Sequence, residues 1–327
     1  MTSNTAKNFI IEASLLQSYA FFQSPIKHLN ELFQISYLLF CYFFTSKTFC
    51  QVIEVEPLSK GLFGTTNTMT MLYESNNAEI TLIVILGYPG KVGLKAGDVG
   101  IQQQTAIMMR NFSYQGKVKS NVVILDSPYF LQDLTARSNS DHLGRIESVI
   151  KFYGNRFKLP VWLFGHSDGS ISVSEFLNRS ENNRKLLAGA ILSGGRDETR
   201  ISEDWKLPTL VIHHEKDACR FTTFWGAKQY FALIKKKNSK PTEFAEITLG
   251  FDYSDPCSTG THMYEGAYSE ATHYIGDFIY RYSGTCFPDG ALASKCSPKE
   301  YQQIKLSPSL NLTNEPDEPL IELSAPN

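Results

Sequence analysis

Four short runs in the middle of the chain are apolar almost from end to end: 80–86 (ITLIVIL), 121–126 (NVVILD), 160–164 (PVWLF) and 208–213 (PTLVIH). A strand with one face in water alternates polar and apolar residues, so strands like these must be covered on both faces. Helical patterns fall between them, at 99–112, 141–157 (with Asp141 placed to cap its N-terminus), 167–178 and 221–235. The alternation predicts an α/β fold, a mostly parallel central β-sheet flanked by helices. Segments 52–57 and 68–74 read as an opening hairpin at the sheet edge. Segments 187–192 and 243–249 read as further strands, and 264–282 as the last helix. The lysines at 235–237 end a helix, where cations favour its dipole.

The chain has 327 residues, 31 Lys+Arg against 33 Asp+Glu, and 42% hydrophobic residues. That balance excludes a nucleic-acid binder running on bulk positive charge, and the apolar content suffices for a sizeable core. No internal repeat is present. Residues 32–44 (LFQISYLLFCYFF) carry no charge and follow Lys27 and His28, as the apolar region of a signal peptide would. Against this stand the long stretch ahead of the run, Glu31 at its border and the lack of an A-x-A cleavage signal. The reading divides the chain into a signal peptide or N-terminal anchor (1–50), a catalytic domain (51–285) and a largely irregular tail (286–327). The expected location is secreted or periplasmic. The alternative is a membrane anchor at 29–50, which is also the extent of any expected membrane proximity.

Gly165-His166-Ser167-Asp168-Gly169 matches G-x-S-x-G, and its context gives it weight: PVWLF runs into it and SISVSEFLN runs out of it. Strand, sharp turn and helix are the setting of a nucleophile elbow, with Ser167 exposed at a helix N-terminus. A serine needs a base and an orienting carboxylate, which follow it here in the order acid, then histidine. Asp217 lies just beyond the strand PTLVIH, in TLVIHHEKD; Glu215, Asp252 and Asp255 are its rivals. Of the seven histidines, His262 sits in the loop between the last strand and the last helix, where the base belongs. His213 and His214 read as packing or loop contacts, His142 and His273 as helical, and His166 as the variable elbow position with its side chain directed elsewhere. Two N–H groups are needed for an oxyanion: Asp168, after the nucleophile, and Tyr88 in the loop Leu86-Gly87-Tyr88-Pro89-Gly90, since Pro89 has none.

Over roughly 52–283, through GHSDG, LGYPG, HHEKD and GTH, the chain resembles the α/β-hydrolase superfamily. The resemblance implies nucleophile, oxyanion donor, acid and base at Ser167, Tyr88, Asp217 and His262. It departs where many members have His-Gly and this chain has Leu86-Gly87. With only about fifteen residues between the sixth and seventh strands, it also lacks the cap domain often inserted there. In that fold the acid and histidine loops are neighbours, so Cys219 would bridge Cys257, and Cys286 with Cys296 would pin the tail; Cys41 and Cys50 would leave with a leader. No cofactor is expected, and no metal, since C-x₂-C and H-x₃-H spacings are missing. The expected activity is hydrolysis of a small-molecule or lipid ester through an acyl-enzyme, without nucleic-acid partners. Peptidase, thioesterase or acyltransferase chemistry on the same triad, and a non-catalytic surface binding protein with this fold, are the alternatives.

Overall fold

A computed structural model describes residues 49–57, 67–251 and 255–283. The strands are β1 (Phe49–Val55), β2 (Thr68–Glu74), β3 (Ile80–Ile85), β4 (Ser120–Asp126), β5 (Val161–His166), β6 (Gly189–Ser193), β7 (Thr209–His214) and β8 (Thr242–Ile247). They form one sheet in the order β1-β2-β4-β3-β5-β6-β7-β8. β1 pairs with β2 and β2 with β4 antiparallel, which makes the expected edge hairpin; every other pairing is parallel.

The helices are α1 (Gln104–Gln115), α2 (Leu134–Ser138), α3 (Ser140–Phe157), α4 (Gly169–Arg179), α5 (Glu181–Arg184), α6 (Phe224–Lys237) and α7 (Tyr268–Tyr282). Successive side chains of a strand point to opposite faces, and the core divides accordingly. Leu82, Val84, Trp162 and Phe164 pack on one face under α1 and α7. Ile83, Ile85, Leu163 and Val211 pack on the other under α3, α4 and α6. All six residues of each of β3, β5 and β7 are buried. This is the physical reason for their unbroken apolar runs.

The differences from the sequence reading lie at element ends. Asn139, not Asp141, caps α3: its extended backbone lets the side-chain oxygen accept the Asp141 N–H at 2.8 Å, and Asp141 instead pairs with Arg145 one turn on. α1 starts at Gln104 rather than 99, because the Gln103 side chain accepts the Ala106 N–H. The expected helix from 264 is broken: a 3-10 turn (Gly260–Met263) is followed by Tyr264 at φ 57° and Gly266 at φ 76°, and α7 begins at Tyr268. α2 and α5 were too short to leave a periodic signal. β1 starts at Phe49, ahead of the expected leader boundary, so Cys50 is a free thiol paired in the sheet opposite Tyr73. The 29–50 anchor (apart from 49 and 50), Cys41, His28, the Cys286–Cys296 pair and the tail at 286–327 lie outside the described residues. Among the described residues, no helix is long and apolar enough to cross a membrane.

His142 of α3 is completely buried, with Nε2 2.9 Å from Ser172 Oγ of α4. Burial, aided by the charge of Arg137 and opposed by Asp141, pushes its pKa down to about 3. The unfolded chain therefore takes up this proton near pH 6.5 and the folded chain does not, so stability is full above that pH and is lost as pH falls toward 3. Denaturant unfolding between pH 6.5 and 4.5 should show His142→Gln losing stability less steeply than wild type, by up to about 1.4 kcal/mol per pH unit. Equal slopes would refute the assignment.

Candidate active site

The elbow is built by close approach. β5 runs into Gly165 and α4 leaves from Gly169; a Cβ on Gly169 would collide with the Ile85 carbonyl oxygen, and one on Gly165 with the Gly169 backbone. Between them Ser167 sits at φ 53°, a left-handed conformation unfavourable for a residue with a Cβ. Its N–H donates to Ser193 O at 2.9 Å, which holds the strained turn against the end of β6. Ser167 is half-buried at the wall of a cavity of about 730 Å³, whose other walls include Tyr88, Gln102, Arg196, Phe221 and His262.

His262 meets Asp217 behind that wall. His262 Nδ1 lies 2.8 Å from Asp217 Oδ2, and both side chains are only 1% exposed. The same carboxylate accepts from Thr222 Oγ1 at 3.0 Å and from the Cys219 N–H at 2.9 Å, with His213 Nε2 at 3.2 Å. Burial pushes the Asp217 carboxyl upward, but the hydrogen bonds from His213 and His262 and the electrostatic attraction of those rings outweigh it and hold it well below the usual carboxylate range. An ionised Asp217 fixes the proton of His262 on Nδ1 and leaves Nε2 free to accept one. Among the described residues that buried Nε2 has no hydrogen-bond partner, and Ser167 Oγ borders the same cavity. The rival acids stand apart: Glu215 faces Lys216 at 3.6 Å, Asp255 caps its own loop, and Asp252 lies outside the described residues.

The elbow histidine departs from expectation. His166 packs its ring 5.0 Å from that of His262 and borders the cavity. A chain of donors sets its tautomer: Tyr264 Oη donates to Ile212 O (2.9 Å) and Ser193 Oγ to Tyr264 Oη (3.1 Å). Ser193 Oγ therefore accepts from His166 Nδ1, at 3.1 Å. Complete burial, reinforced by His262, pushes the pKa of His166 well down, so it stays neutral beside a histidine that would gain charge. His214 is a structural tie: Nε2 donates to Leu249 O at 2.7 Å and Nδ1 accepts from Lys216 N–H at 2.9 Å. His273 pairs with Asp277 on the surface.

The loop after β3 brings Tyr88 to the cavity, with its side chain 64% exposed. It is braced from the end of β4: Asp126 accepts the N–H groups of Val92, Gly93 and Leu94 at 2.5–2.9 Å, Ser127 N–H donates to Gly90 O, and Leu131 N–H donates to Pro89 O. Neither the Tyr88 nor the Asp168 N–H has a protein acceptor among the described residues, so both are available to an incoming oxygen. Arg196, over the Phe221 ring at 4.7 Å, binds Asp168 at 3.0 Å and Glu198 at 2.9 Å. Sequence reasoning missed Thr222, the His213 contact and Arg196. The i,i+4 spacing of His213 and Asp217 across a strand end was the one signal available.

Cys219 and Cys257 form a disulfide, with Cα atoms 4.6 Å apart. It joins the Asp217 loop to the His262 loop.

No protein-family model matches the sequence, and a search of curated proteins finds no significant relative. Solved structures are similar in fold. An esterase from Pyrococcus furiosus matches with TM-score 0.50 at 11% identity, over 72% of this chain and 93% of that one. A serine hydrolase without a lid from Xanthomonas campestris gives 0.48 at 11%, over 75% and 98%. A dienelactone hydrolase from Anabaena variabilis gives 0.49 at 15%, over 71% and 99%.

The disulfide closes a loop across 38 positions, for which chain entropy gives a stabilisation of about 4 kcal/mol. Non-reducing peptide mapping should recover Cys219 and Cys257 in one cross-linked fragment, and the double Ser variant should unfold more readily by about that amount. Alkylation of Cys219 in denatured, unreduced protein would rule the bridge out.

Proposed function

We propose that this chain, which has the α/β-hydrolase fold, is a serine hydrolase that cleaves carboxylic esters through an acyl-enzyme. The observation that carries the reading is the 2.8 Å contact from buried Asp217 to His262, a histidine that lines the cavity strained Ser167 also borders. Nothing in a fold alone requires a left-handed serine and an imidazole with a free Nε2 on one cavity wall, with a buried carboxylate behind the imidazole.

His262 Nε2 takes the proton of Ser167 Oγ as the oxygen adds to the acyl carbon, and the carbonyl π pair moves onto the carbonyl oxygen. The N–H groups of Tyr88 and Asp168 stabilise that oxyanion. Asp217 stabilises the imidazolium, and neutral His166 avoids a second cation beside it. Collapse expels the alcohol oxygen, which takes the proton from His262. Water then repeats the sequence, releasing acid and free Ser167. The substrate is a small-molecule or lipid ester; Gln102, Arg196 and Phe221 offer it both polar and aromatic contacts. The Cys219–Cys257 disulfide supports a place in an oxidising compartment, secreted or periplasmic.

A fluorophosphonate probe should label Ser167 in the folded protein. Ser167→Ala should abolish labelling and lower kcat on a p-nitrophenyl ester panel by on the order of 10⁴-fold or more. Full activity in that variant would refute the triad, and a folded wild type without an adduct would favour a binding protein on this fold. Thr222→Val removes one donor to Asp217 and should lower kcat/KM about tenfold; an unchanged value would show that the remaining donors suffice.

A further inference from the structure

Beneath the loop that presents Tyr88 lies a guanidinium without a carboxylate of its own. Arg137 of α2 is 0% exposed. Its Nη1 donates to Leu86 O at 2.8 Å and to Ser172 Oγ at 3.4 Å, and its Nη2 donates to Gly87 O at 2.8 Å. Among the described residues it forms no ion pair, and its buried Nε has no partner. The acid that acts on it through space is Asp168, already bound to Arg196 at 3.0 Å. Burial accordingly lowers its pKa to about 10, Arg196 pushes the same way, and Asp168 opposes them. A buried cation lacking a matched anion is unfavourable in a resting protein. It becomes favourable if negative charge develops nearby during the reaction.

The geometry says where. The Gly87 carbonyl and the Tyr88 N–H belong to one peptide group. A cation on the oxygen side draws electron density through the amide, making the N–H a stronger donor, as in any polarised hydrogen-bond chain. N–H···O contacts from both ends of the fork to consecutive carbonyls also fix the plane of that peptide, and a planar fork does this better than a point charge. His142, neutral and bonded to the same Ser172 Oγ, adds no competing charge.

We propose that Arg137 is the positioning residue of the oxyanion site: it aligns and polarises the Gly87–Tyr88 peptide, and its charge offsets the oxyanion formed when Ser167 Oγ adds to the ester carbonyl. The inference rests on the serine-hydrolase reading. The carbonyl oxygen carries full charge only after the π pair has moved onto it, so the contribution falls on kcat and not on substrate binding.

The test compares wild type, Arg137→Lys and Arg137→Gln on p-nitrophenyl acetate, with active sites counted by fluorophosphonate labelling and folding checked by thermal unfolding. Arg137→Gln, which keeps a donor but no charge, should lower kcat per labelled site by about 100-fold with KM within about twofold. Arg137→Lys, which keeps the charge but not the fork, should recover about tenfold of that loss. Wild-type kcat per labelled site in whichever variants fold, or equal losses in Lys and Gln, would overturn the proposal and leave Arg137 a loop anchor. If Gln does not fold, Lys decides: about tenfold below wild type at unchanged KM supports the proposal, and wild-type kcat overturns it. A wild type that neither labels at Ser167 nor turns over would overturn the serine-hydrolase reading and this inference together. A wild type that does both, beside an equally active Gln variant, overturns this inference alone.

Discussion

Strands β3 and β5 through β8 run parallel and are joined by connections that cross the faces of the sheet. Both faces are therefore covered, and these parallel strands release their chains at the same end of the sheet. Gly87–Tyr88, Ser167, Asp217 and His262 come from the loops after β3, β5, β7 and β8, and they converge because the strands share a direction. The neighbours β7 and β8 deliver the acid and histidine loops side by side, close enough for Cys219 and Cys257 to bond. Remove the covered parallel sheet and these residues, spread over 175 positions from Tyr88 to His262, have no reason to meet.

At that end the buried charges are arranged by sign. Asp217 is held ionised against His262, and Arg137 is held cationic under the loop that carries Tyr88. His142 and His166, both buried, stay neutral. In the proposed reaction a positive charge appears on His262, against Asp217, and a negative one appears near Tyr88, over the peptide that Arg137 holds. On that proposal the fixed charges match those of the transition state before substrate arrives, which is electrostatic preorganisation. In the resting state the same arrangement is a strain, spread over a left-handed serine and a guanidinium without an anion.

Legibility in the sequence followed the range of the interaction. The apolar runs of β3, β4, β5 and β7 were readable because burial on both faces is written into each strand's own composition. The elbow was readable because two glycines and a serine must fit one local turn. Helix starts were less so: whether Asn139 or Asp141 caps α3 turns on backbone angles that neither residue sets alone. The break at 264–267 depended on two left-handed residues, Tyr264 and Gly266, that a helical pattern does not reveal. The contacts of Arg137 and His166 were illegible because each partner lies in another element; that of Thr222 is five residues away, but in a loop with no periodic signal.

The amino-acid sequence by itself determined the kind of sheet, the place of the sharp turn and the residue types from which a triad can be chosen, because these follow from composition and short-range sterics. Only the tertiary structure decided that Asp217 and not Glu215 meets His262, that His166 packs against His262, and that Arg137 lies under the Tyr88 loop. Those choices depend on distances between loops set by the twist and order of strands. No single segment contains that information, and burial makes each of these contacts strong once the strands have placed it.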